Sequence, residues 1–195
     1  MQVLLAEHLN ETKWKNGGGI TRNIAKGILN GVTAWRVSRA DVDVEGRFSD
    51  FAGLTRILTV VSSNMMELVH DGGVLDVRSW EPVTFDGALP VDARLPDGPL
   101  TDLNLMFDPA LCNGTAQVRR GPHSVVGQQG GYLCIYHVLA GNPRCGGEKF
   151  GTADTLFVAP NDQAPVELGQ GDAVLQLSLA PIDQSADIRL CIADR

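Results

Sequence analysis

The chain has almost no helical periodicity, no closely paired cysteines, no paired histidines and no excess of basic residues. Each absence removes a class of function. Cys112, Cys134, Cys145 and Cys191 are widely spaced with no C-x-x-C pair, so a zinc site built on closely spaced ligands is not supported. Reduced thiols are expected, with Cys134 a core residue in an apolar strand. The four histidines, His8, His70, His123 and His137, form no H-x-H pair, so neither a three-histidine metal site nor any cofactor is expected. His137 sits in an apolar run and reads as a hydrogen-bonded core histidine. No G-x-S-x-G elbow is present, and the triple glycine lacks the Lys-Ser/Thr of a phosphate-binding loop. A formal net charge of −7 argues against a nucleic-acid partner. No apolar run is long enough to span a bilayer, and Met1–His8 lacks the features of a signal peptide. A cytoplasmic protein with no membrane partner is expected.

What remains is an ordinary globular composition of 195 residues, 44% hydrophobic and 20% charged. Short apolar or alternating runs recur between Gly, Pro, Asp and Asn, the signature of an all-β sandwich or barrel. Strands are expected over 21–25, 33–42, 55–61, 65–70, 74–77, 82–85, 91–95 and 100–107. A weaker second series covers 116–119, 132–140, 155–160, 166–168 and 173–179, with the tail after Pro181 peripheral. Phe48 to Gly53 reads as a connecting loop pinned by two aromatics, and Pro109 to Gly114 as a seam. The repeated order of strand, glycine turn and short strand resembles a duplicated jelly roll divided into 1–110 and 111–195.

Charge is unevenly distributed. Residues 1–60 hold eight Lys/Arg against six Asp/Glu, which leaves −9 on the remainder. Within that basic segment lies Trp14-Lys15-Asn16-Gly17-Gly18-Gly19-Ile20-Thr21-Arg22. Its backbone N–H groups can form an anion nest around Gly18, flanked by Lys15 and Arg22; the competing reading is a tight entry loop plugged by Trp14. In the strand 33–42, Trp35, Val37 and Arg39 share one face and Arg36, Ser38 and Ala40 the other. In the strand 100–107, Asp102, Asn104 and Met106 oppose Leu103, Leu105 and Phe107. Alternation favours solvent for the Asp102/Asn104 face, although a barrel with its own cavity would turn that face inward. Arg56 opens an apolar strand as either a rim charge or a further cationic contact.

The Trp14–Arg22 stretch, Ala34-Trp-Arg-Val-Ser-Arg-Ala40, Phe48-Ser-Asp-Phe-Ala-Gly-Leu-Thr-Arg56 and Asp102-Leu-Asn-Leu-Met106 together resemble the HutD/Ves family. The resemblance is sharp to about Arg120, with departures at Asn23 (Glu in the family), Ala52 (Pro) and the turn Ser62-Ser63-Asn64. It implies a cupin-superfamily fold of two jelly-roll halves, a bicupin. It also implies a link to bacterial histidine utilisation or, in the Ves branch, to stress-related settings. No catalytic activity is attached to the family. The function it implies is a regulator or sensor that binds a small acidic histidine catabolite, such as urocanate or formyl- or formimino-glutamate. On that reading the ligand-binding residues are Lys15, Asn16, Gly18, Arg22, Arg36, Ser38, Arg56, Asp102 and Asn104, with no catalytic and no metal residues. The alternative is a metal-independent isomerase, lyase or hydrolase using Asp102, His70 or Glu67 as general acid or base. A homodimer is left open.

Overall fold

The computed structural model describes residues 1–126, 132–160, 162 and 164–193. It is all-β apart from one short 3-10 turn, Ala6–His8, among the described residues. Four antiparallel sheets are arranged as two pairs. In the first pair, the larger sheet runs Glu11–Lys13, Gly19–Leu29, Val32–Val42, Leu100–Phe107, Thr55–Val60 and Val83–Asp86. Its smaller partner runs Gly46–Arg47, Asp92–Arg94, Met66–His70 and Gly73–Val77. A core of Leu58, Val60, Met66, Leu68, Val77 and Phe85 fills part of the space between them.

The second pair joins a sheet of Gln2–Leu4, Thr155–Val158, Leu133–Ala140, Ala173–Pro181 and Cys112–Arg120 to one of His123–Val125, Val166–Leu168, Arg144–Cys145 and Glu148–Lys149. Tyr136, Phe150, Leu156, Val166 and Val174 pack inside it. A third cluster, including Trp35, Leu103, Leu105, Ile135, Phe157 and Leu177, unites the two large sheets. Each large sheet therefore has apolar contacts on both faces, and Leu103, Leu105 and Phe107 belong to the shared core rather than to a barrel interior.

The two long strands that carry much of the site form a hairpin through Asn30-Gly31. Both turn residues have positive φ, 50° and 83°. An Asn-Gly pair suits such a turn because its twist matches that of the flanking strands. The chain ends cross between the sheet pairs: Gln2–Leu4 pairs with Thr155–Val158, while Arg189–Ile192 pairs with the edge of Gly19–Leu29. The tail after Pro181 is thus no peripheral appendage. Ile188, Leu190, Ile192 and Ala193 pack against the shared core. Cys112-Asn113-Gly114 begins the strand Cys112–Arg120. His137 is buried and hydrogen-bonded from Nδ1 to Thr155 Oγ1 at 2.9 Å, as expected. Burial lowers its pKa to about 3, with Arg39 adding to the effect.

Candidate functional site

The larger sheet of the first pair has one face turned toward an open cavity. Register decides which side chains reach it. Asn104 lies opposite Ser38 and Leu58, and Met106 opposite Arg36 and Arg56. Alternation therefore places Arg36, Ser38, Arg56, Asp102, Asn104 and Met106 on the same face. A cavity of about 560 Å³ is lined by all six, together with Lys15, Asn16, Trp14, Thr21, Phe48 and Phe51. Asp102 is 1% exposed and Asn104 6%, so the solvent-facing expectation is overturned. The cause lies on the opposite face. Leu103 and Leu105 are claimed by the core between the large sheets, leaving the polar face of the same strand to line the cavity.

Lys15, Asn16, Arg36, Ser38, Arg56, Asp102 and Asn104 come together as the sequence pattern suggests. Gly18 and Arg22 do not join them. Gly18 N–H donates to Asn16 Oδ1 at 3.0 Å, and Gly17 N–H donates to Trp14 O at 3.1 Å. These donors close the turn, so the glycine run is an entry loop and not an anion nest. Its tryptophan forms a cavity wall, with Trp14 Nε1 donating to Thr21 Oγ1 at 2.7 Å. Arg22 lies opposite Arg39, on the other face of the sheet, and binds the carboxylates of Glu11 and Asp41. Burial opposes its charge, but hydrogen bonds and attraction from Asp41 and Glu11 prevail and raise its pKa. It is a structural cation.

Arg56 is the centre of the site. It is 3% exposed, its Nη2 donates to Asn104 Oδ1 at 2.8 Å, and Asn104 Nδ2 donates to Asp102 Oδ1 at 2.6 Å. The amide therefore links guanidinium to carboxylate. Burial lowers the Arg56 pKa to about 10, opposed by Asp102 and reinforced by Arg36. Burial pushes Asp102 up to about 7; Arg56 and the Asn104 hydrogen bond oppose the rise, while Asp41 adds to it. Burial also lowers the pKa of Arg36. The Nε atoms of Arg36 and Arg56 are both buried without a hydrogen-bond partner. Leaving such donors unsatisfied costs stability unless another group supplies an acceptor.

Sequence reasoning treated Phe48 and Phe51 as loop pins and missed their relation to the cations. The Arg36 guanidinium lies 4.5 Å from the Phe51 ring centroid. Arg56 lies 4.9, 5.2 and 5.1 Å from the centroids of Phe48, Phe51 and Phe85. The rings fix both guanidiniums through their π faces while leaving N–H edges available. One buried and one half-buried guanidinium, a carboxyl and an amide thus share one cavity wall.

Cupin-like barrels often hold a metal, which requires several donor side chains converging on one point. Among the described residues no three His, Cys, Asp or Glu side chains cluster as ligands. The cavity wall offers one carboxylate, no histidine and several cations that repel a metal ion. The residues present do not fit a bound metal.

Comparison with known proteins agrees with the fold and places the chain in a family. The HutD family model matches residues 6–177. A 21.2 kDa protein in the hutC 3′ region of Pseudomonas putida is 36% identical over 112 residues, 56% of this chain and 59% of that protein. The chain thus aligns with less than two thirds of that relative's length. Protein Ves of Citrobacter koseri is 31% identical over 72% of this chain and 73% of its own. The structure of HutD from Pseudomonas fluorescens SBW25 (formate condition) superimposes with a TM-score of 0.80 at 30% identity, covering 92% of this chain and 98% of that one. The Escherichia coli pirin YhhW in complex with nickel(II) shares the fold, with a TM-score of 0.70 at 12% identity over 93% and 99% of the two chains. This all-β, cupin-like chain belongs to the HutD family, which is linked to the histidine-utilisation region.

Proposed function

We propose that the protein is a non-catalytic sensor that binds a small acidic metabolite of bacterial histidine utilisation, such as urocanate or formyl- or formimino-glutamate. The observation that carries this reading is the buried, ring-stacked Arg56, whose Nε lacks a protein partner beside an open cavity. An anionic carboxylate would supply the missing acceptor and offset the cost of two desolvated guanidiniums. In this reading the chain is a bicupin of two halves, 1–110 and 111–195, acting in the cytoplasm with no cofactor and no nucleic-acid or membrane partner. A homodimer is tested by solution mass.

Urocanate and the glutamate derivatives, screened by thermal shift, test the proposal. A ligand that binds only the native state must raise its melting temperature. At least one of these acids is expected to do so in wild type and not in Arg56→Met; no shift by any of them would overturn the reading.

A second reading rests on Asp102. A carboxyl whose pKa is about 7, beside a cavity, suits general acid–base chemistry near neutral pH. It makes the protein a metal-independent enzyme acting on the same metabolites. Prolonged incubation decides between them: a sensor returns its ligand unaltered, whereas an enzyme consumes it.

A further inference from the structure

A second cavity, of about 760 Å³, adjoins the first and shares Thr12, Arg36, Phe51 and Met106 with it. Arg36 stands at the waist. The additional wall brings Lys26 and Asn23, apolar surface from Trp35 and Leu54, and the C-terminal strand residues Cys191 and Ile192. No Asp or Glu lines this lobe among the described residues.

A local irregularity places Lys26 there. The strands Gly19–Leu29 and Val32–Val42 lose register between Asn23 and Ala25, so Ile24 is an extra residue with no partner. Before this bulge Asn23 pairs with Ser38; after it Lys26 pairs with Arg36. Regular pairing continued from Asn23 would set Lys26 opposite Trp35, on the core face. The bulge instead returns Lys26 to the cavity face, as bulges do when they re-aim a side chain. It also brings Gly27 opposite Trp35, where a Cβ would stand 2.1 Å from the indole Nε1. The insertion is therefore integrated with the packing of the core.

The consequence is electrostatically unfavourable by itself. Lys26 and Arg36 face one another directly across the strands, and like charges in that position repel. No ion pair to either side chain is present among the described residues. With Arg56 and Lys15 in the first lobe and Lys26 in the second, cations line both lobes, and Arg36, Phe51 and Met106 belong to the wall of each. We infer that the HutD-type site of this chain takes an elongated dianion, one carboxylate held by Arg56 and Arg36 and the second held in the adjoining lobe by Lys26. This inference rests on the carboxylate-binding reading of the first lobe and narrows its ligand to a dicarboxylate whose short apolar middle crosses Phe51 and Met106. An acid with one carboxylate, as in urocanate, would fill only the first lobe.

The test is calorimetric titration with succinate, glutarate and adipate, set against butyrate and urocanate, in wild type, Lys26→Gln and Arg56→Met. Lys26 is exposed and Lys26→Gln removes its repulsion of Arg36, so the variant is expected to melt no lower than wild type without ligand. Wild type is expected to bind at least one dicarboxylate tenfold or more tightly than either monocarboxylate. Lys26→Gln should weaken that dicarboxylate at least tenfold and the monocarboxylates less than threefold, whereas Arg56→Met should weaken every acid. Equal effects of Lys26→Gln on both groups, or no effect on either, would overturn the second subsite and leave the first intact. Failure of wild type to bind any acid would overturn the carboxylate-binding reading as well.

Discussion

Replacing Arg56 with methionine should make the unliganded protein more stable while abolishing anion binding. The guanidinium is 3% exposed, and burial draws its pKa from the ordinary arginine value to about 10. At about 1.4 kcal/mol per pH unit, that fall corresponds to about 3 kcal/mol of cost carried by the charged form. Methionine keeps the volume among Phe48, Phe51 and Phe85, and its sulfur makes favourable ring contacts of about 1 kcal/mol. Against this stand the lost hydrogen bond to Asn104, about 1 kcal/mol, and the lost cation–π attraction, of similar size. The balance is a gain of about 1–2 kcal/mol, or roughly 2–8 °C in melting temperature for a chain of this size. The assay is best run at pH 6, where Asp102, with its pKa near 7, is mostly protonated and does not become an unpaired buried charge. Thermal melts with and without carboxylate should show a higher unliganded melting point and no ligand-induced rise. A variant destabilised by more than about 2 kcal/mol that still responds fully to ligand would refute the reasoning.

Asp102 and His137 should impose opposite pH dependences. The folded pKa of Asp102 is raised to about 7, so the folded state holds the extra proton and stability falls as pH rises from about 4 to 7. The folded pKa of His137 is lowered to about 3, so the unfolded state holds the extra proton and stability rises from about pH 3 to 6.5. The slopes oppose each other between about pH 4 and 6.5; denaturant unfolding of Asp102→Asn should expose a rise of about 1.4 kcal/mol per pH unit there, and His137→Asn a comparable fall. A pH-independent Asp102→Asn would contradict the assignment. Gly19→Ala should cost about 1–3 kcal/mol, because its Cβ would stand 2.2 Å from Asp41 O and 3.2 Å from the Trp14 ring. A neutral result in chemical denaturation would show that the entry loop is not tightly packed. Truncation after Pro181 should lower stability by at least about 2 kcal/mol, since it uncovers an edge of Gly19–Leu29 and apolar surface packed by Leu190 and Ile192. An unaltered melting temperature would contradict that role.

Much of the site was legible in strand alternation. The pairing of Arg36 with Ser38 on one face, and of Asp102 with Asn104 on another strand, survives directly in the structure. Which way those faces point was not legible, because the deciding term is a distant one. Leu103 and Leu105 have a second sheet to pack against, supplied by Ile135, Leu175 and Leu177 from far along the chain. The glycine loop misled for a local reason: Asn16 is close enough to take the Gly18 N–H that an anion would need. Arg22 was drawn into the site by its proximity in sequence to that loop, whereas alternation turns it toward Asp41. The bulge at Ile24 changes the facing of Lys26, and no residue type at that point announces it. The C-terminal strand is polar enough to read as a tail, and its pairing requires an edge that only the folded sheet provides.

Calorimetric titration of formylglutamate at pH 7, repeated in buffers of different ionisation enthalpy, tests the central claim most directly. An anion seated beside Asp102 must favour its protonated form, so binding should proceed at one ligand per chain with uptake of up to about half a proton. The uptake should vanish in Asp102→Asn, and the binding heat should vanish in Arg56→Met. Binding unchanged in both variants, or no binding by formylglutamate or by any of the other proposed acids, would contradict a carboxylate receptor built around Arg56.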